Sequence, residues 1–201
     1  MANEGITRFI RLRLGGADDW DGVSGNPNTA DGLGMAGNNH SIMDHCSVGW
    51  TIDEAFSSRN AKNITLQRTL ISESLNYAGH NTQFIQQGHH LEHVYAATIG
   101  GDYGSYHHNL LAHNQGRNWS MSGGLSDGNY AGHHDMFNNV CYNWGGRATD
   151  GGTHQGQFVN NYYKMGPATT LTYLITADIE GTGGGTQAYY CLLYTSDAAD
   201  E

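Results

Sequence analysis

The sequence predicts an all-β fold built as a parallel solenoid. Short runs of alternating apolar and polar residues recur about 22 residues apart, separated by text rich in Gly, Asn, Asp and Ser. The 29 glycines predict many turns, and the two prolines, Pro27 and Pro167, fall outside the alternating runs, where they interrupt no strand. Convincing amphipathic helices are absent. This pattern is typical of coils whose strands pair with their counterparts in the next coil.

Five runs are predicted strands. In chain order they are SIMDHCSV from Ser41, NITLQRTL from Asn63, YHHNLLAHN from Tyr106, MFNNVCYN from Met136 and FVNNYYKM from Phe158. The first two start 22 residues apart, as do the last two, and the middle run lies one longer step before Met136. The pairs 138–139 and 160–161 are both Asn-Asn at the same phase, which predicts asparagines that stack at a bend and bond along the coil axis.

The text between the runs completes the predicted architecture. The piece DEAFSSRNA is interpreted as the end of a coil, and segments 15–30, 72–88 and 116–132 as longer loops. Residues 1–190 are predicted to form one domain. The last stretch, 191–201 (CLLYTSDAADE), resembles a translated sequencing adapter and is expected to be a non-native tail. Cys46 and Cys141 lie in apolar runs and are predicted to be buried thiols.

Charge limits the partners. The formal net charge is −10 with neutral histidines, so phosphates would be repelled, and neither a nucleic acid nor an anionic membrane is expected as partner. No apolar run approaches the roughly 20 residues of a membrane helix. The first ten residues lack the basic and apolar regions of a signal peptide, and we expect the N-terminus to be incomplete.

One motif points to different chemistry. The stretch HHLEH, residues 89–93, matches a zinc-peptidase pattern. That pattern binds zinc only on a helix, where His89 and His93 share a face. The flanking text indicates a loop that runs into a strand, so we do not expect a zinc site.

Five stretches, in order, resemble the pectate lyases of polysaccharide lyase family one: SIMDHCSVGWTIDEAFS, NITLQRTLISESL, SYHHNLLAHNQGR, FNNVCYNWG and VNNYYKMGPAT. The resemblance runs from about Ile6 to Thr170. It implies a right-handed single-stranded parallel β-helix, here truncated at both ends. It also implies a secreted, monomeric enzyme that uses Ca²⁺ to cleave polygalacturonate by β-elimination.

The resemblance implies a calcium site. Asp31, thirteen residues before Asp44, falls on a calcium-binding aspartate of the family. The family's acidic pair four residues apart falls on Asp53 and Ser57, so the second carboxylate is lost. Glu54, or aspartates of the first loop, could replace it, since calcium takes six to eight oxygen ligands.

The resemblance also implies a catalytic arginine. Arg117, ten residues after the first histidine of the HHN strand, falls on the family's base, and a second arginine and a lysine of the family have no counterparts. His80, His93 and Arg147 are candidates for binding the acidic polymer in their place. Trp119, at the position of a family proline, is either a packing residue or a platform for a sugar ring.

Two other functions stay open at this point. The thinned acidic cluster and the missing arginine favour a non-catalytic β-solenoid that binds polysaccharide. A calcium-independent pectin lyase acting on methylated substrate is the other alternative.

Overall fold

The structure, a computed structural model, describes residues 31–51, 53–75, 95–122 and 132–177, and beyond these only the backbone of four short strands. All regular secondary structure in this part of the chain is β. None of the described segments forms a helix that could span a membrane.

Three parallel six-stranded sheets contain most of the strands. The first sheet, in spatial order, is β1 (Leu33–Gly34), β4 (Phe56–Ser57), β9 (Tyr95–Ile99), β12 (Gly116–Ser122), β15 (Thr149–Gly152) and β18 (Ile175–Ala177). The second is β2 (Asn39–Asp44), β5 (Lys62–Gln67), β10 (Asp102–His107), β13 (His133–Phe137), β16 (Gln155–Val159) and β19 (Gln187–Cys191). The third is β3 (Ser47–Gly49), β6 (Leu70–Ser72), β11 (Leu110–Ala112), β14 (Val140–Tyr142), β17 (Tyr162–Lys164) and β20 (Tyr194–Thr195).

The chain visits the three sheets in turn, one strand in each, before the next coil begins. Every pair of neighbouring strands within the sheets is parallel, because each coil repeats the path of the previous one. The fold is therefore a parallel β-helix, and the predicted fold class is confirmed.

The spacing between coils is less regular than predicted. At the bend between the second and third sheets, equivalent residues lie 23, 40, 30 and 22 positions apart. The predicted 22-residue step from Ser41 to Asn63 is wrong by one, because Ser41 pairs with Ile64. Met43 and Leu66 are both buried and pair with each other, which fixes this register, since a slip by one residue would turn the apolar set outwards.

A ladder of buried asparagines follows the same bend, as predicted. The side-chain carbonyl of Asn109 accepts from the backbone N–H of Thr69 at 3.0 Å. Those of Asn139 and Asn161 accept in the same way from the backbone N–H of the preceding asparagine of the ladder, each at 3.0 Å. Each amide group also donates to a strand carbonyl of the preceding coil, and the three side chains are buried. The ladder therefore satisfies polar groups that the bend would otherwise leave unpaired.

The core fills the space between the three sheets. Aligned inward positions of neighbouring coils supply it: Leu66, Tyr106, Met136 and Phe158 in the second sheet, and Val48, Ile71 and Leu111 in the third. Cys141 is buried and Cys46 half-buried, and both are free thiols. The stack leaves the outer faces and the corners of the coils for function.

The structure corrects part of one predicted loop. Residues 116–122, assigned to a loop because of their glycine and polar content, form β12 of the first sheet. A register shift against β9 between Asn118 and Ser120 adds one residue and breaks the strict alternation, which conceals the strand in the sequence. Residues 123–131 and 15–30 lie outside the described residues.

Two further expectations concern short strands. His89 and His90 form β8, which pairs in antiparallel fashion with β7 (Ile85–Gln86), so the zinc motif does not begin on a helix. β19 and β20 continue the ladder into the segment that the sequence analysis sets apart as a tail. The domain boundary at residue 190 stays a prediction.

Candidate active site

The predicted catalytic and metal-binding residues meet along one edge of the first sheet. Asp31 and Glu54 each stand two residues before a strand, β1 and β4, and Arg117 is the second residue of β12. Tyr95 begins β9, which lies between β4 and β12. The backbone N–H of Gly32 donates to the carbonyl of Glu54 at 2.8 Å. The coil therefore brings together residues up to 86 positions apart, from Asp31 to Arg117.

An acidic cluster of three carboxylates forms one end of this edge. Asp31, Asp53 and Glu54 each present an oxygen, and these atoms lie within 4.8 Å of one another. Asp53 and Glu54 are buried, with 4% and 1% exposure. Oxygens that bind one calcium ion at about 2.3–2.6 Å can be at most about 5 Å apart. The donor type and the spacing of the acidic cluster thus fit a calcium ion, with three protein ligands.

Burial and nearby negative charges change the pKa of Asp31, the first residue of the acidic cluster. Burial, with the charges of Glu54 and Asp53 close by, raises the pKa of Asp31 from 3.8 to about 7, and the charge of Arg59 opposes the change only in part. A carboxylate with such a pKa is stabilised by any cation placed beside it. Because a metal ion binds the deprotonated carboxylate, a cation in the acidic cluster would lower this pKa.

The pKa of Glu54 changes in the opposite direction. Burial alone would raise its pKa, but hydrogen bonds with Asp53 and Thr98 and the charges of Arg117 and Arg59 outweigh burial and lower the pKa to about 2. The hydrogen bonds and the two arginines thus favour the ionised form of Glu54. It is the carboxylate that joins the acidic cluster to the positive groups of the site.

Arg117 is held on three sides. Its Nη1 donates to Glu54 Oε1 and to Thr98 Oγ1, the latter at 3.2 Å. Its guanidinium lies 3.9 Å from the centre of the Tyr95 ring. The side chain is 22% exposed, so the guanidinium is ordered by its contacts and still reaches the surface.

The other predicted substrate-binding residues have different outcomes. Trp119 is 2% exposed and packs against the ring of Tyr106, with centroids 5.6 Å apart. It belongs to the core and cannot offer a face to a sugar, so this assignment is corrected. Arg147 is half-exposed, pairs with Asp150 at 2.9 Å and lies 5.1 Å from the Tyr95 ring. His80 and His93 lie outside the described residues.

Three residues of the site were not predicted from the sequence. Arg59 Nη2 donates to Glu54 Oε1 at 2.8 Å, and Thr98 Oγ1 donates to the same oxygen at 2.6 Å. Tyr95 lies beside both Arg117 and Arg147. Arg59 stands five residues after Glu54 and could have been noticed as a nearby cation. The other two could not, because 40 or more residues separate Glu54 from them and the insertion between the coils is irregular.

Comparison with known proteins agrees with this geometry. No protein-family model matches the chain. It is 31% identical over 195 residues to a protein named probable pectate lyase C from Aspergillus fumigatus, covering 94% of this chain and 39% of the relative. Proteins of the same name are 35% identical over 173 residues in Emericella nidulans, covering 85% and 34%, and 30% identical over 196 residues in Neosartorya fischeri, covering 94% and 39%.

The chain spans about two fifths of the length of these relatives. The similarity extends over nearly all of the chain, and the coil and the ordered motifs agree with it. These similarities support the assignment of the chain to the pectate lyase family.

Proposed function

We propose that the chain is a secreted, calcium-dependent pectate lyase that cleaves polygalacturonate, the backbone of pectin, by β-elimination. The observation that carries the proposal is the contact between Arg117 and Glu54, which joins the proposed base to the acidic cluster. The names of the relatives support the reaction class. We further propose that the protein acts as a monomer and binds neither nucleic acid nor membrane.

The acidic cluster would hold the cation. Asp31, Asp53 and Glu54 are the proposed ligands. Bound calcium would supply positive charge to the substrate carboxylate and make the neighbouring C5–H bond more acidic. An acidic protein requires such a bridge to hold an acidic polymer, because the two otherwise repel each other.

Arg117 would take the proton. In the proposed reaction a neutral guanidine nitrogen of Arg117 accepts the C5 proton, the C4–O bond breaks, and a double bond forms between C4 and C5. The leaving oxygen takes a proton from water. A guanidinium normally keeps its proton to a pH above about 12. The proposed step therefore depends on the acidification of the C5–H bond by a cation at the substrate carboxylate.

The remaining cations would hold the polymer. Arg147 leaves much of its guanidinium exposed beside Tyr95, on the coil that follows Arg117, and is proposed to bind a substrate carboxylate. His80 and His93 are proposed for the same role from the segment before β9. Arg59, with 38% of its side chain exposed, is a further candidate found in the structure.

The test is a lyase assay on purified protein. We expect polygalacturonate to yield an unsaturated product, measured by ultraviolet absorbance, that disappears with a chelator and returns with calcium. Arg117→Lys should lower the rate at least about a hundredfold, since a positioned base contributes that much or more. Arg68→Lys is the matched control, because Arg68 lies on the second sheet's bend beside Asp44 and not at this edge.

Other outcomes would select the other functions. Product formation that a chelator does not change would support the calcium-independent pectin lyase. Polysaccharide binding without product, equal in the parent and the Arg117 variant, would support the non-catalytic solenoid. Either result would refute the proposed activity.

A further inference from the structure

The carboxylate of Glu54 has two kinds of positive partner: two arginines, and the cation proposed to bind in the acidic cluster. Its Oε1 accepts from Thr98, Arg59 and Arg117 together. The same side chain belongs to the acidic cluster, whose ligand atoms lie within 4.8 Å of one another. With 1% exposure, Glu54 cannot turn to solvent to avoid either set of partners.

The two sets of partners make opposite demands on this carboxylate. A cation in the acidic cluster attracts the negative charge of Glu54, and the guanidinium of Arg117 attracts the same charge. Two positive groups on one buried carboxylate also repel each other. By linkage, each partner must weaken the binding of the other.

We propose that Glu54 is a positioning residue for which the cation and Arg117 compete, so that cation binding loosens the guanidinium of Arg117 and releases it towards the substrate. Arg59 donates to the same oxygen of Glu54 at 2.8 Å and is subject to the same repulsion. The cation site and the identity of Arg117 as the base both rest on the proposed function, and the contacts of Glu54 supply the competition between them.

The competition has a direction that a structural role would not produce. An arginine that merely supported the fold would weaken calcium binding when removed. Removal of a competing arginine would instead strengthen calcium binding. We therefore expect Arg117→Gln to bind calcium at least about fivefold more tightly than the parent, measured by isothermal titration calorimetry on the full chain.

Two variants serve as controls for charge. Arg117→Lys keeps the positive charge and should bind calcium within about twofold of the parent. Arg68→Gln removes a charge elsewhere, beside Asp44, and should also stay within about twofold. An Arg117→Gln affinity equal to or weaker than that of the parent would overturn the proposal, as would an equal gain in Arg68→Gln.

A second measurement uses the unaltered protein. The side-chain NMR signals of Arg117, assigned by their loss in Arg117→Lys, should shift on addition of calcium, and those of Arg68 should not. Unshifted Arg117 signals at saturating calcium would refute the release. Neither experiment contains polysaccharide, so a failed lyase assay and a failed competition are separate results.

Discussion

His134 shows how the interior perturbs a single residue. The ring is 1% exposed and lies edge-on to Tyr106, with centroids 5.6 Å apart. Burial lowers its pKa from 6.5 to about 4, although the charge of Asp102 acts in the opposite direction. The folded protein therefore keeps this histidine neutral over a range in which the unfolded chain protonates it.

We expect His134 to make the fold sensitive to acid. The lowered pKa means that the unfolded chain binds more protons between about pH 6.5 and pH 4, so the free energy of unfolding decreases as pH falls through this window. Across this window the parent should lose on the order of 3 kcal/mol of its free energy of unfolding because of His134, and His134→Phe should not show this loss. Urea unfolding at both ends of the window measures the difference.

The difference between the parent and His134→Phe reports the contribution of His134 alone. Asp31 has a raised pKa and contributes with the opposite sign, but both proteins keep it, so it cancels in the difference. His113→Asn, a change at an exposed histidine, should leave the pH dependence as in the parent. Equal acid sensitivity of parent and His134→Phe would contradict the expectation.

At the scale of elements, the coils are tied by polar ladders as well as by strand pairing. At the bend between the second and third sheets some backbone groups pair with one another, whereas the N–H groups of Thr69 and Asn109 pair with asparagine side chains. Asn139 replaces the missing partners: its amide accepts from Asn109 and donates to the carbonyl of Tyr106 at 2.9 Å and to the side chain of Asn161 at 3.0 Å. Buried donors and acceptors lose these partners if the side chain is shortened.

Asn139→Ala is expected to destabilise the fold by about 3 kcal/mol, because several buried polar groups lose their hydrogen bonds at once. Chemical unfolding monitored by circular dichroism measures the change. Asn160→Gly is the matched control, since Asn160 is partly exposed at the same bend and has φ of 55°, which glycine adopts without strain. Its cost should be below about 1 kcal/mol, and an equal cost in both variants would argue against a special role of the ladder.

At the scale of the whole molecule, the acidic cluster joins two coils. Asp31 belongs to the coil that begins with β1, and Asp53 and Glu54 belong to the coil that begins with β4. The chain as a whole carries a net charge of −10, and three of its 19 acidic residues are concentrated here. A cation bound between the two coils should therefore stabilise the folded state more than the unfolded state.

We expect calcium to raise the free energy of unfolding by about 2.7 kcal/mol at a concentration about a hundred times the dissociation constant. Thermal unfolding with calcium and with a chelator measures the effect. Asp53→Asn should abolish most of the response. Asp135→Asn is the control: it removes an equal charge on β13, where the carboxylate accepts from Gln157 at 2.9 Å. This variant should keep the calcium response. A calcium response that survives in Asp53→Asn would place the ion elsewhere.

Much of the fold could be predicted because its signal is local. Alternation of apolar residues and the recurrence of Asn-Asn identified the strands and the ladder, since both depend on neighbours in sequence or on a repeated step. The strand β12 was missed because an extra residue near Trp119 breaks the alternation. Trp119 was a candidate sugar platform because it falls at the position of a family proline, although the structure places it in the core.

The site was predictable where it follows family positions and unpredictable where it depends on the distance between coils. Asp31, Asp53 and Arg117 came from the resemblance, and Glu54 was considered only as a replacement carboxylate. The roles of Thr98 and Tyr95 require the knowledge that β9 lies between β4 and β12. No spacing in the sequence contains that information, because the coils differ in length.

The sequence by itself determined that the chain winds into a coil of parallel strands, since periodicity and turn chemistry act over a few residues and repeat. Only the tertiary structure decided which charged groups share an oxygen of Glu54. That outcome depends on the register between coils, which is fixed by the packing of inward-facing side chains. Residues close in space but far apart along the chain therefore acquire their electrostatic partners only when the whole coil closes.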